Sequence, residues 1–298
     1  MDQIASTSKG IHAHPLGAHL GADVTGVDIS MPMAPETLQA INALWCEYLV
    51  LRFRGQTGLS PEGLIRFSKQ FGSLDSRPVG TRTRAPGPAA SFPEITTISN
   101  IEVGGKSIGG LGSTEAVWHT DMSYVTKPPK AACLYSLEVP KTGGNTHFLN
   151  MYAAYETLPE TLKTRVDRLT CLHDASRNSA GELRLGFKDV VDPREAVGAV
   201  HPLVRVHPET QRKCLFLGRR RNAYIVGLSL EDSEALLDEL WEHAAAPALA
   251  WTQTWQPGDL VMWDNRCTMH RRDAFDPETR RLMIRTQISG ETVHRSLN

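Results

Sequence analysis

The stretch WHTDMSY, residues 118–124, places an imidazole and a carboxylate two positions apart, His119 and Asp121. In an extended strand alternate side chains share a face, so this pair could grip one cation together. Taken alone, the pair leaves open a strand whose polar residues merely share a face. His270 lies downstream, at the centre of GDLVMWDNRCTMHRRDAFDPETRRLMIRTQIS. Two histidines and one carboxylate with three open positions form the facial triad suited to a redox Fe(II) that must also bind a cosubstrate and dioxygen. A closed structural zinc site wants four protein ligands, and the sequence offers no obvious fourth.

RRLMIRTQ, residues 280–287, reads as a strand with Arg281, Met283 and Arg285 on one face and Leu282, Ile284 and Thr286 on the other. The flanking apolar residues make it a central strand. A buried guanidinium is costly unless an anion meets it, and its planar fork suits carboxylates and other oxyanions. The two arginines therefore ask either for two anionic ligands or for carboxylates of the protein itself; exposure on an edge is the third option.

The elements that must position these residues are mostly strands. Residues 11–29 read as two short strands, 50–53 (VLRF) as a buried one, and 117–150 as strand-like text broken by KPPK and PKTGGN. HPLVRVHPETQRKCLFL reads as a hairpin, and LAWTQTWQPGDLVMWDN and RLMIRTQIS as further strands. Helical spacing marks 35–49; Ser60 with Pro61 starts a second helix, and Ser229 with Asp232 caps a third. NMYAAYETLPETLKTRV is expected as one helix. Residues 77–115, rich in Gly and Pro with only ITTISN between to make a strand, are expected to form a mobile, lid-like segment. Many strands, few helices and no βαβ rhythm predict a mainly β fold with flanking helices, a jelly roll or barrel, in a single domain over 1–298.

Composition excludes several classes. The 298 residues are 41% hydrophobic and 22% charged, which fits a packed core. A formal charge of −1 gives no global field for nucleic acid or a membrane surface. GRRRN, 218–222, is too short a basic run to alter that. No run of 18 apolar residues occurs, and MDQIASTSKG lacks a basic stretch followed by an apolar core, so no secretory leader is expected. Five scattered cysteines without CxxC read as reduced thiols, hence a cytoplasmic protein.

With GADVTGVDIS, VLRFRGQ, FSKQFGSL, WHTDMSY, PKTGGNTHF, HPLVRVHPETQRKCLFL, WQPGDLVMWDNRCTMHR and RRLMIRT in this order, the chain resembles the Fe(II)- and 2-oxoglutarate-dependent dioxygenases of the taurine dioxygenase and 2,4-dichlorophenoxyacetate dioxygenase family over nearly its whole length. The resemblance implies a double-stranded β-helix and iron bound by His119, Asp121 and His270. It implies that Arg281, eleven residues after His270, holds the far carboxylate of 2-oxoglutarate with help from Thr146 of the GG-x-T motif. It implies that Arg285 meets an anionic group of the substrate. The carboxylate at Asp121, a small residue in related halogenating enzymes, implies oxygen insertion. 2-Oxoglutarate would leave as succinate and carbon dioxide while the substrate is hydroxylated, and a hydroxylated carbon bearing a heteroatom would then cleave. Family members are commonly dimers or tetramers, so a homo-oligomer is expected.

Arg285 points to a small anionic organic substrate: a carboxylate, sulfonate or sulfate ester. The chain departs from the taurine enzymes where those carry a histidine and a tyrosine (here Arg77 and Gly80), an asparagine (Glu115) and a phenylalanine (Arg221). These changes make taurine a poor candidate and favour a larger, aryl-bearing carboxylate, with Arg77, Glu115 and Arg221 as candidate substrate contacts. Two other readings compete: a biosynthetic hydroxylase or desaturase of a free or carrier-tethered amino acid, and a non-catalytic jelly-roll binding protein. The complete set His119, Asp121, His270 and Arg281 argues against the last.

Overall fold

The strands that are apolar on both faces form the middle of a nine-stranded sheet. Its order is Ala5–Ser8, Ile11–Pro15, Ala22–Thr25, Val50–Phe53, Leu260–Asp264, Ala131–Glu138, Leu282–Ile288, Thr96–Ser99 and Gly110–Leu111. The protein is seen in a computed structural model that describes residues 5–8, 10–76 and 85–295. Neighbours are antiparallel except for two parallel pairs, Ala22–Thr25 with Val50–Phe53 and Thr96–Ser99 with Gly110–Leu111. Side-chain alternation splits the core in two. Leu51, Phe53, Cys133, Tyr135, Leu260, Met262 and Ile284 face helices Pro35–Tyr48 and Pro61–Lys69. Val50, Ala132, Leu134, Val261, Trp263 and Met283 face a second, four-stranded sheet.

That second sheet runs Ala250–Gln253, Thr146–Asn150, Thr268–Arg272, Ala116–His119. Phe148 joins the layers, stacking on Trp251 within its own sheet and packing 5.6 Å from the Trp263 ring across the gap. Two sheets closed over one core in this way form the expected jelly roll, with helices outside.

The caps fall where the sequence puts them. Ser60 Oγ accepts from the Gly63 N–H, and Ser229 Oγ from the Asp232 N–H at the start of helix Leu230–Ala244. The hairpin of 204–215 also forms. Two expectations are corrected. The helix expected over 150–166 is two, Met151–Glu156 and Glu160–Val166, because Pro159 lacks the N–H that would continue the first. The irregular reading of 101–115 also gives way at Gly110–Leu111, which pairs with Thr96–Ser99, the strand expected within ITTISN, to complete one edge of the large sheet. That edge seats the strand carrying both arginines: the Asn100 side chain accepts from the Arg281 N–H, and Ser99 Oγ donates to the Arg281 carbonyl. Among the described residues no helix is long and apolar enough to cross a membrane.

Candidate active site

His119 and His270 are register partners on adjacent strands of the small sheet, with ring centroids 4.1 Å apart. Asp121 arrives differently from what strand alternation predicts. The strand ends at His119, and Asp121 lies in the following turn, just before Met122 at φ 48°. The strand breaks here because Thr120 and Asp121 bind other elements. The Thr120 N–H donates to the Gly218 carbonyl. Asn265 clamps Asp121 from both sides, accepting from its N–H at 2.9 Å and donating to its carbonyl at 3.0 Å. The result still serves the chemistry: one ligand atom each from His119, Asp121 and His270 lies within 4.8 Å of the others, and all three residues are buried.

The protonation states match what a cation requires. Burial, first of all, pulls both imidazoles below their usual range, His270 well below, so both are neutral. His119 Nδ1 lies 2.7 Å from the Val117 carbonyl, which fixes the proton on Nδ1 and turns Nε2, 3.6 Å from Asp121, toward the cluster. Burial alone would raise the Asp121 carboxyl. The Arg285 charge and the His119 hydrogen bond outweigh it and hold the carboxyl well below the ordinary carboxylate range. Two neutral nitrogens and one carboxylate, all lining a cavity of about 1500 Å³, are a donor set that fits a ferrous ion with positions left for other ligands.

A second feature of the same cavity is Arg281. It is 2% exposed, its Nε and Nη1 have no hydrogen-bond partner, and no carboxylate of the described residues pairs with it. Burial and then the Arg272 charge push its pKa down to about 9. Gly144, at φ 63°, lies beside it. A Cβ on Gly144 would sit 3.4 Å from Arg281 Nε and from the Phe275 ring. Thr146, which follows this turn, also lines the cavity, and its Oγ1 accepts from Trp255 Nε1 at 3.0 Å.

The other expected residues divide. Arg285 lines the cavity, but its Nη1 donates to both Asp121 oxygens, at 3.0 and 2.8 Å, while its Nε has no partner. Glu115 and Arg221 are not brought to the cavity. Glu115 is half exposed and tied to Arg271 at 3.2 Å, and Arg221 is half exposed near Asp189. Arg77 and Gly80 lie outside the described residues. Two residues that sequence reasoning missed take their place. Arg219 forms an isolated bridge with His119, is buried, and lines the cavity with Nε unpartnered. Burial, then Arg184, lowers its pKa to about 10. Arg272, two residues after His270 on the same strand, also lines the cavity. Leu183, Leu185 and Val197 add an exposed apolar rim.

Known proteins resemble this chain over most of its length. The family model described as "Taurine catabolism dioxygenase TauD, TfdA family" matches residues 12–287. Pentalenolactone F synthase of Streptomyces arenae is 34% identical, over 90% of this chain and 91% of its own. The α-ketoglutarate-dependent 2,4-dichlorophenoxyacetate dioxygenase of Cupriavidus pinatubonensis is 33% identical, over 94% and 98%. The crystal structure of AAD-2 in complex with Mn(II) and N-oxalylglycine superposes with a TM-score of 0.77 at 30% identity, covering 95% of this chain and 98% of that one.

Proposed function

This chain belongs to the TauD, TfdA family of Fe(II)- and 2-oxoglutarate-dependent dioxygenases, and on that premise we propose that it hydroxylates a small organic anion carrying an apolar body larger than that of taurine. Where the attacked carbon bears a heteroatom, hydroxylation cleaves the molecule. The observation that carries the reading is the meeting, in one cavity, of the His119, Asp121 and His270 cluster with the buried, anionless Arg281.

His119 through Nε2, Asp121 and His270 hold the iron, and Arg281 with Thr146 holds the far carboxylate of 2-oxoglutarate. Bound iron supplies the oxidising power, drawn from dioxygen as 2-oxoglutarate is converted to succinate and carbon dioxide. The protein does the rest. Asn265 keeps the Asp121 turn in place, and the Val117 carbonyl keeps His119 in one tautomer. Arg285 keeps Asp121 ionised, and with its remaining N–H and with Arg219 it offers cationic donors to a carboxylate, sulfonate or sulfate ester. Leu183, Leu185 and Val197 at the cavity mouth suit the apolar body. Assembly as a dimer or tetramer in the cytoplasm belongs to the same reading; five free cysteines support the location, and sedimentation measures the assembly.

The test is oxygen consumption with succinate detection, using Fe(II), 2-oxoglutarate and a panel of aryloxyalkanoates, sulfate esters, sulfonates and amino acids. One class of anion stimulates succinate release in the native enzyme, and His119→Ala is silent. Equal silence of both despite bound iron contradicts the proposal; turnover of taurine as fast as the best aryl substrate contradicts its size argument. A second reading, a hydroxylase or desaturase in a synthetic pathway, draws support from the similarity to Pentalenolactone F synthase. A desaturated product in the same assay selects it.

A further inference from the structure

Arg272 is an unusual residue to find beside Arg281. Both are buried, and both have Nε and Nη1 without any hydrogen-bond partner. Both guanidinium groups lie against one aromatic ring, at 5.4 Å and 5.9 Å from the Phe275 centroid. Neither forms an ion pair with a described carboxylate, and the Arg272 charge opposes that of Arg281. Two adjacent buried cations with free donors destabilise the protein unless one anion meets both. Arg272 is also the register partner of Thr146 across the small sheet, so Thr146, Arg272 and Arg281 converge on one end of the cavity.

The remaining nitrogen of Arg272 has a different task. Nη2 donates to the carbonyls of Leu111 and Thr114, which flank the cavity-lining residues Gly112 and Ser113. Leu111 is itself held at φ 69°. One side chain therefore touches both the anion end of the cavity and the loop that borders it.

We infer that Arg272 is a second cosubstrate-binding arginine, which shares the far carboxylate of 2-oxoglutarate with Arg281 and holds the 111–114 loop against that subsite. The inference rests on the reading of Arg281 given above. A purely structural Arg272, serving only the loop carbonyls, leaves both Nε and Nη1 buried without a partner; a shared carboxylate takes up one of these donors. The arrangement makes the enzyme selective for 2-oxo diacids over 2-oxo monoacids of equal length.

The experiment measures equilibrium binding by calorimetry on Mn(II)-loaded protein without oxygen. The ligands are 2-oxoglutarate and 2-oxopentanoate, which has a methyl group in place of the far carboxylate. Arg272→Gln keeps an amide donor for the loop carbonyls and removes the charge; Arg272→Ala removes both; Arg281→Ala is the reference. In both Arg272 variants 2-oxoglutarate affinity falls by about tenfold or more, the scale of one charge-assisted hydrogen bond, while 2-oxopentanoate affinity stays within about twofold. Equal losses for the two ligands mean that Arg272 is only a loop anchor and overturn the inference, as does no loss for either. If Arg281→Ala also leaves the diacid preference intact, the subsite itself is misassigned, which separates failure of the underlying reading from failure of the Arg272 role. Circular dichroism identifies any variant that does not fold, and Arg272→Gln, the milder change, then decides alone.

Discussion

Replacing Gly144 by alanine perturbs the cosubstrate end of the site through the backbone, without replacing a ligand-binding side chain. Gly144 sits at φ 63°, in the left-handed region where a Cβ costs about 1–2 kcal/mol. For a chain of 298 residues that corresponds to a fall in Tm of roughly 2–3 °C. The added Cβ would also lie 3.2 Å from Pro140 Cγ and 3.4 Å from both Arg281 Nε and Phe275 Cδ1. The first contact is tight, so the turn or the Pro140 ring must give by a few tenths of an ångström beside the arginine. Misaligning a charge-assisted bond worth about 1.5–3 kcal/mol by enough to lose ~1 kcal/mol weakens 2-oxoglutarate roughly fivefold. The control is Gly55→Ala, at φ 70° with nothing within 4 Å of where its Cβ would lie, which carries the same strain and no crowding. Differential scanning calorimetry and 2-oxoglutarate calorimetry on the two variants separate the effects. Both lose Tm, and only Gly144→Ala loses cosubstrate affinity. Unchanged affinity in Gly144→Ala, with a Tm loss equal to the control, refutes the claim that this turn seats Arg281.

Other perturbations follow from the same geometry. Asn265→Ala frees the Asp121 turn and leaves buried backbone groups unpaired; it costs about 1–3 kcal/mol in chemical unfolding and weakens metal binding by about tenfold or more. Asp264 is buried between Arg266 and His207. Burial alone would raise its carboxyl, but Arg266 above all holds it well below the carboxylate range. Its contribution is therefore complete above its unfolded value near 4 and is lost as pH falls through the lower folded value. Accordingly, Asp264→Asn loses about 3–5 kcal/mol at neutral pH, where Arg266 is left without this partner, and shows a shallower acid limb in unfolding free energy against pH. Arg219→Ala raises KM for the anionic substrate by about tenfold or more while 2-oxoglutarate affinity holds; a loss confined to 2-oxoglutarate contradicts the assignment of Arg219 to the substrate.

The His119, Asp121 and His270 cluster was legible because its residue types are chemically specific, yet the geometric reason first available for it was incomplete. Alternation along a strand pairs His119 with Asp121 only if the strand continues, and it stops at His119. What brings Asp121 into place is the Asn265 clamp, a contact across 144 residues that no local pattern reveals. The central position of Leu282–Ile288 was readable, because apolar residues on both faces require layers on both sides. Of three adjacent arginines in GRRRN, only pairing with His119 picks out Arg219, while Arg220 goes to Glu234 and Asp238 and Arg221 to the surface. Arg272, by contrast, could have been found. It stands two positions from His270 on a strand, so the rule applied to His119 and Asp121 places it on the His270 face. The single helix expected over 150–166 failed at Pro159, a residue whose missing N–H was visible in the sequence.

The decisive measurement is a titration of metal-free protein with Fe(II) under anaerobic conditions, with metal content read by elemental analysis, for the native chain and for Asp121→Ala of confirmed fold. If His119, Asp121 and His270 hold the iron, the native protein binds one ion per chain, and 2-oxoglutarate tightens its retention. Asp121→Ala then binds iron at least about tenfold more weakly. Equal affinity and stoichiometry in the two proteins would place the metal elsewhere, and the facial-triad reading would fall with it.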